Sequence, residues 1–187
     1  DLFVVGRWDK VIEFAERVHR GTAARFSGEG ITISGGMAIV NPKFPIAKAA
    51  EMAGEAEAKA KSFVCAEGAS KNAFCMFGKT VSWKDEFDYV KAYKDRFVRL
   101  ISDYQLSKGI LHKLMLYAAV AERNRWQKKH GKPENFSYVW HLSYYLARYK
   151  KRYEKNDEVQ MLCNQLKDKN LFQSNDRQLE LVALAAR

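Results

Sequence analysis

The chain has 187 residues, 47% of them hydrophobic, and a formal net charge of +10. That length supports one large or two small domains, and no apolar run approaches the roughly 18 residues that a membrane-spanning helix needs. The composition is that of a globular protein and excludes a helical membrane anchor within these residues.

Taken in chain order, residues 2–5 form a short apolar run with strand character, and residues 9–20 place Val11, Ile12, Phe14, Ala15 and Val18 at helical spacing. Residues 31–40 return to strand-like composition, and Asn41-Pro42-Lys43-Phe44-Pro45 breaks the chain. An alanine-rich stretch, 46–63, predicts a helix that leads through Gly68 to another strand at 73–77. Beyond Gly78, residues 83–103, 107–130, 136–155, 157–169 and 176–187 all read as helices separated by short polar breaks. The fold class is α+β: a partial ferredoxin-like, split βαβ sheet followed by an all-α helical bundle. The expected domains are residues 1–82, a connecting helix at 83–103, and a helical bundle at 104–187.

The three cysteines, Cys65, Cys75 and Cys163, are odd in number and widely spaced among largely apolar neighbours. They suit buried thiols in a reducing cytoplasm better than a disulfide framework or a zinc site. The start at Asp1, with no initiator methionine and no basic-then-apolar leader, reads as a piece of a longer cytoplasmic chain.

Charge is unevenly divided. Through Thr80 there are 11 Lys and Arg against 9 Asp and Glu, and from Val81 onward 21 against 13. The basic character lies in the second half, densest at Arg123, Arg125, Lys128, Lys129 and Lys132 and again at Arg148, Lys150, Lys151 and Arg152, with Trp126 and Tyr149 interleaved. Such a surface favours polyanions. The same residues also read as solvated helix ends, because cations complement the dipole at a helix C-terminus.

Several words, in order, carry a resemblance. They are Asp1-Leu2-Phe3-Val4-Val5-Gly6, Ile33-Ser34-Gly35-Gly36-Met37-Ala38-Ile39-Val40, Pro42-Lys43-Phe44-Pro45, Ala58-Lys59-Ala60-Lys61-Ser62, and Lys71-Asn72-Ala73 through Phe77-Gly78. Together they resemble the second palm domain, nucleotidyl cyclase-like, of the large signature subunit of type III CRISPR effector complexes, in its III-A, Csm-type branch. Leu106-Ser107-Lys108-Gly109 and Tyr144-Tyr145-Leu146-Ala147-Arg148 resemble the C-terminal helical domain of the same subunit.

The resemblance implies a function. The family's palm carries a Gly-Gly-Asp-Asp turn before an apolar strand, so Asp1 stands where the last Asp would be, a catalytic and metal-binding carboxylate for Mg²⁺ or Mn²⁺. Lys61 and Lys71 match the positions that grip nucleotide phosphates in related palms, lysine acting there as a point charge. Read from the residues alone they are equally solvated surface lysines. Ser34, Gly35 and Gly36 would let a nucleotide approach the backbone, or would serve close packing of strand on helix.

The implied enzyme is a nucleotidyltransferase that converts ATP into cyclic oligoadenylate when its complex binds target RNA, the isolated residues being inactive. The partners implied are the other subunits of the effector complex, guide RNA and target RNA, with Arg123, Arg125, Lys128, Lys129, Arg148, Lys150, Lys151 and Arg152 as the contact residues. Two other readings stay open: an inactive palm serving as a scaffold or RNA-binding module, and a diguanylate cyclase relative. The family's HD nuclease domain has no counterpart here, since His19, His112, His130 and His141 are scattered without an adjacent Asp.

Overall fold

A computed structural model describes residues 2–64, 71–167 and 177–187. The chain divides into two compact units, Asp1–Asp88 and Tyr89–Arg187, the division falling inside a helix. The architecture is α+β, with three strands and seven helices among the described residues.

The first unit opens with α1, Trp8–Arg25, followed by β1, Gly35–Gly36, and α2, Ile46–Lys61. Strands β2, Ala73–Met76, and β3, Lys79–Ser82, complete a sheet of order β1-β2-β3. β1 runs parallel to β2, Gly35 opposite Phe74 and Gly36 opposite Cys75. A parallel pair needs a crossover, and the alanine-rich α2 supplies it.

Small residues decide how closely α2 seats. Ala56 and Ala60 of the helix meet Ala73 and Cys75 of β2 in one buried cluster. A Cβ placed on Gly36 would lie 2.1 Å from the Glu57 amide nitrogen and 2.7 Å from the Ala53 carbonyl oxygen. Helix backbone therefore lies directly on strand backbone at residue 36. On the other face of β2, Phe74 and Val81 are buried with Trp83 and Phe87.

Two sequence expectations are corrected here. Residues 2–5 do not form a strand: Leu2 and Val5 are about 70% exposed, and among the described residues no neighbour offers the ladder partners a strand requires. Within 31–40 only Gly35–Gly36 is strand, extended by the Met37 amide donating to the Cys75 carbonyl at 2.8 Å. A third strand, β3, was not foreseen. Its signal was the two-residue turn Phe77-Gly78, whose φ angles of 51° and 75° match the primed hairpin turn that suits the twist of antiparallel strands.

Ser82 and Glu86 bond reciprocally at the start of α3, Glu86–Tyr104: the Ser82 amide donates to the Glu86 carboxylate at 2.9 Å and the Glu86 amide to the Ser82 hydroxyl at 3.3 Å. This arrangement works as a capping box does.

The second unit adds α4, Gly109–Lys129, α5, Ser137–Arg152, α6, Asp157–Leu166, and α7, Gln178–Ala185. α4 packs on α5 and α7, and α5 on α6. Leu100, Ile110, Leu114, Leu142, Leu146, Leu162 and Leu166 are fully buried between them. Three polar side chains at helix junctions find specific partners. Buried Asn124 donates to the Asn135 carbonyl at 2.7 Å and accepts from its amide at 3.0 Å, pinning the α4–α5 connection. The Asn156 side chain accepts from the Val159 amide at 3.0 Å and caps α6. The Tyr149 hydroxyl donates to the Ser107 carbonyl at 2.8 Å, tying α5 to the segment before α4. No described helix is long and apolar enough to cross a membrane.

Cys75 and Cys163 are buried free thiols, as the sequence indicates, and Cys65 lies outside the described residues. Burial raises the Cys163 thiol above its ordinary value, leaving it protonated and inert.

Gly36→Ala should cost at least about 2 kcal/mol, because the obstructing atoms are backbone and cannot rotate aside. Thermal unfolding of the complete subunit checks this, and the same change at exposed Gly54, inside α2 with nothing within 4 Å, should stabilise slightly because alanine is the better helix former.

Candidate functional site

The candidate nucleotide residues gather at one end of the βαβ unit. Helix α2 runs back across the strands it connects, so its last residue, Lys61, returns to the end from which β2 starts. Lys71 stands two residues before β2, and Ser34 one residue before β1. The Lys71 amide donates to the Phe63 carbonyl at 3.1 Å, which closes the connection and holds the two lysines to the same corner.

Each residue has a distinct environment. The ammonium of exposed Lys61 pairs with Glu57 one turn back at 2.9 Å, so a phosphate would compete with that carboxylate. Lys71 is exposed, with a left-handed φ of 70°, and Asn72 follows at 50°. Two successive non-glycine residues in that region are uncommon and must be held by their surroundings. The Ser34 hydroxyl is buried without a hydrogen-bond partner among the described residues. Gly35 faces the Phe74 ring, 3.2 Å from where a Cβ would stand, while Gly36 is occupied by its approach to α2. Asp1 lies outside the described residues.

The implied metal finds no complete set of ligands here. Among the described residues no three His, Cys, Asp or Glu side chains come together as a metal site would require. Asp1 remains the sole metal-ligand candidate.

Sequence reasoning passed over His19, whose partners lie more than fifty residues away. Its ring stacks on Trp83 with centroids 4.6 Å apart and planes 11° from parallel, and Nε2 lies 3.2 Å from Asn72 Oδ1. Burial pushes His19 below its ordinary value. The Asn72 bond and Asp88 act the other way, while Arg20 reinforces the depression.

The second candidate surface lies in the helical unit, where the eight basic residues divide by environment. Arg125, with 23% of its side chain exposed, pairs with Glu180 of α7. Lys150 donates to Asn164 Oδ1 of α6 at 2.7 Å. Both hold helices together. Arg148 lies over Tyr144 and Arg152 over Tyr153, with cation to ring-centre distances of 5.8 and 5.7 Å. Arg123, Lys128, Lys129 and Lys151 are exposed.

Tyr149 does not belong to that surface. It is buried, and burial pushes its hydroxyl up to about 12. Its place is taken by a row the sequence did not reveal: Phe136, Trp140 and Tyr144, which are 49, 77 and 66% exposed. With Arg148 and Arg152 they recur every four residues along one ridge of α5. Trp126 is also exposed, stacked on His130 and covered by the Lys132 ammonium at 4.8 Å.

A palm-type βαβ unit followed by a helical unit is the organisation the sequence led us to expect of a type III CRISPR large subunit, and comparison with known proteins agrees. Residues 1–75 match the family described as Cas10/Cmr2, second palm domain. Three curated relatives carry the name CRISPR system single-strand-specific deoxyribonuclease Cas10/Csm1 (subtype III-A). That of Methanocaldococcus jannaschii is 36% identical over 48% of this chain and 12% of its own length. That of Mycobacterium tuberculosis is 31% identical over 66% of this chain and 15% of its own. That of Streptococcus thermophilus is 24% identical over 84% of this chain and 19% of its own. The resemblance read from the sequence is borne out: this chain is similar to Cas10/Csm1 proteins of CRISPR subtype III-A. It spans less than one fifth of the length of these relatives.

Because the His19 value is depressed in the folded chain, the unfolded chain binds the proton more readily as pH falls through the ordinary value of 6.5. The stability contributed by the neutral ring is therefore complete above that value and declines below it. Thermal melts from pH 8 to pH 5 should show the advantage of wild type over His19→Phe shrinking with acidification.

Proposed function

We propose that the first unit is part of a palm that synthesises cyclic oligoadenylate from ATP when the assembled complex binds target RNA. The observation that carries this reading is the convergence of Ser34, Lys61 and Lys71 on one end of the βαβ unit, in the stretch that matches the second palm domain. Each nucleotidyl transfer joins a ribose hydroxyl to an α-phosphorus and expels pyrophosphate. Positioning and charge neutralisation dominate such chemistry. Lys61 and Lys71 would hold the triphosphate, and the Ser34 hydroxyl beside them is buried without a hydrogen-bond partner among the described residues. Mg²⁺ or Mn²⁺ would take Asp1 as one ligand, and the described residues add no cluster of three ligands to it.

The relatives are named for cleavage of single-stranded DNA. We assign no part of that activity to the residues of this chain, whose four histidines stand apart in sequence.

The helical unit, on this reading, faces guide and target RNA within the complex and packs against its other subunits. Exposed cations beside exposed aromatic faces support it, since backbone attraction and base stacking both tolerate any sequence.

Two experiments test these roles. Asp1→Ala in the complete, assembled subunit should abolish target-dependent formation of cyclic oligoadenylate while leaving target binding intact. Product that persists in the variant removes Asp1 from the site, and an RNA-bound wild-type complex that makes none reduces the palm to a scaffold. Charge reversal at Arg148, Lys151 and Arg152, sparing the helix-bonding Lys150, should weaken RNA binding most at low salt and flatten its log–log salt dependence by about 2 units. Unchanged RNA affinity with impaired subunit assembly would assign the ridge to a protein partner instead.

A further inference from the structure

The turn at Lys71 and Asn72 carries two left-handed residues in succession, neither of them glycine. Such a conformation is unfavourable for a residue with a Cβ and persists only where the surroundings fix it. Three hydrogen bonds do so here. The Lys71 amide donates to the Phe63 carbonyl at 3.1 Å, the Trp83 amide donates to the Asn72 carbonyl at 3.0 Å, and the Asn72 side-chain oxygen meets His19 Nε2 at 3.2 Å. The first two are backbone bonds that many sequences could form. The third depends on one side chain brought from α1.

His19 is itself held in place. It lies flat on Trp83, which stacks in turn on Phe74 at 5.0 Å, and the Phe74 ring lies against Gly35 of β1. A continuous stack therefore runs from α1 to the strand that carries the candidate nucleotide residues. With Nε2 protonated, the imidazole donates to Asn72 Oδ1.

We propose that His19 is a positioning residue of the nucleotide site: stacked on Trp83, it anchors Asn72 and so fixes the backbone from which Lys71 reaches the triphosphate of ATP. This rests on the palm reading above and extends it to a residue that none of the resembling words contains. His19 touches no nucleotide in this account and acts entirely through Asn72. The groups charged around it, Arg20 and Asp88, lie toward solvent and also pair with each other at 3.7 Å, so neither replaces the bond to Asn72.

The test is equilibrium binding of ATP to the complete subunit in its assembled complex, with turnover measured in parallel. Four forms are compared: wild type, His19→Phe, Lys71→Met and the double variant. His19→Phe keeps a flat ring on Trp83 and removes the hydrogen bond. It should weaken ATP binding by about three- to tenfold, the range of one lost hydrogen bond, with kcat at saturating ATP little changed. Lys71→Met should weaken binding at least as much, and the double variant no more than Lys71→Met alone, because His19 acts through Lys71. His19→Gln, which restores a donor, should bind within about twofold of wild type.

Unaltered ATP affinity in His19→Phe overturns the proposal, as does a double variant whose loss is the product of the two single losses. A wild type that binds ATP without turning it over sinks the synthase reading alone, while the affinity series still decides the role of His19. A wild type that binds no ATP overturns both.

Discussion

The first unit depends on an absent side chain. At Gly36 the strand and α2 meet backbone to backbone, a separation that no residue with a Cβ permits. Because α2 seats there, its alanines reach Ala73 and Cys75, and its C-terminal residue arrives beside the start of β2. The lysine corner is a consequence of that seating. A helix lifted by the width of one methyl group would carry Lys61 away from the connection that Phe63 and Lys71 close.

The helical unit follows a different principle. Its core is leucine-rich, but the junctions between helices are fixed by polar groups with specific partners: Asn124 on the backbone of Asn135, Tyr149 on the Ser107 carbonyl, Asn156 on the Val159 amide. Burial makes an unmatched partner at these points expensive, so the junctions select one arrangement from those the apolar core allows. The same economy divides the basic residues. Arg125 and Lys150 are committed to neighbouring helices, which leaves the outward-facing cations of α4 and α5 to define the surface.

Much of this was legible in the sequence, and the gaps have physical causes. The helices announce themselves by apolar spacing, and α2 by its alanines, because a local period suffices to define a buried stripe. The strands are less visible. β1 is two glycines long, with no side chains to display an alternating pattern, and the apolar run at residues 2–5 has the composition of a strand but no partner among the described residues to make it one. β3 was hidden because Phe77 is not a typical residue for a left-handed turn position. Lys61 and Lys71 could be named from their words alone. His19 could not, since its importance comes from Trp83 and Asn72, which only the folded chain brings to it. The aromatic ridge of α5 was obscured for the opposite reason, its residues being of the kind that ordinarily lie inside.

Among the described residues β1 lies at the margin of its sheet, bonded to β2 on one side only. Beside it in sequence, Ile31 and Ile39 are about half exposed. Unpaired strand backbone beside apolar side chains is a template that another extended segment can copy. Left uncovered, such a margin would offer two copies a mutual site, and the rate of that encounter would grow with the square of concentration. Anything that lies along β1 permanently, whether another strand or another subunit, therefore acts on the colloidal behaviour of this protein as much as on its fold.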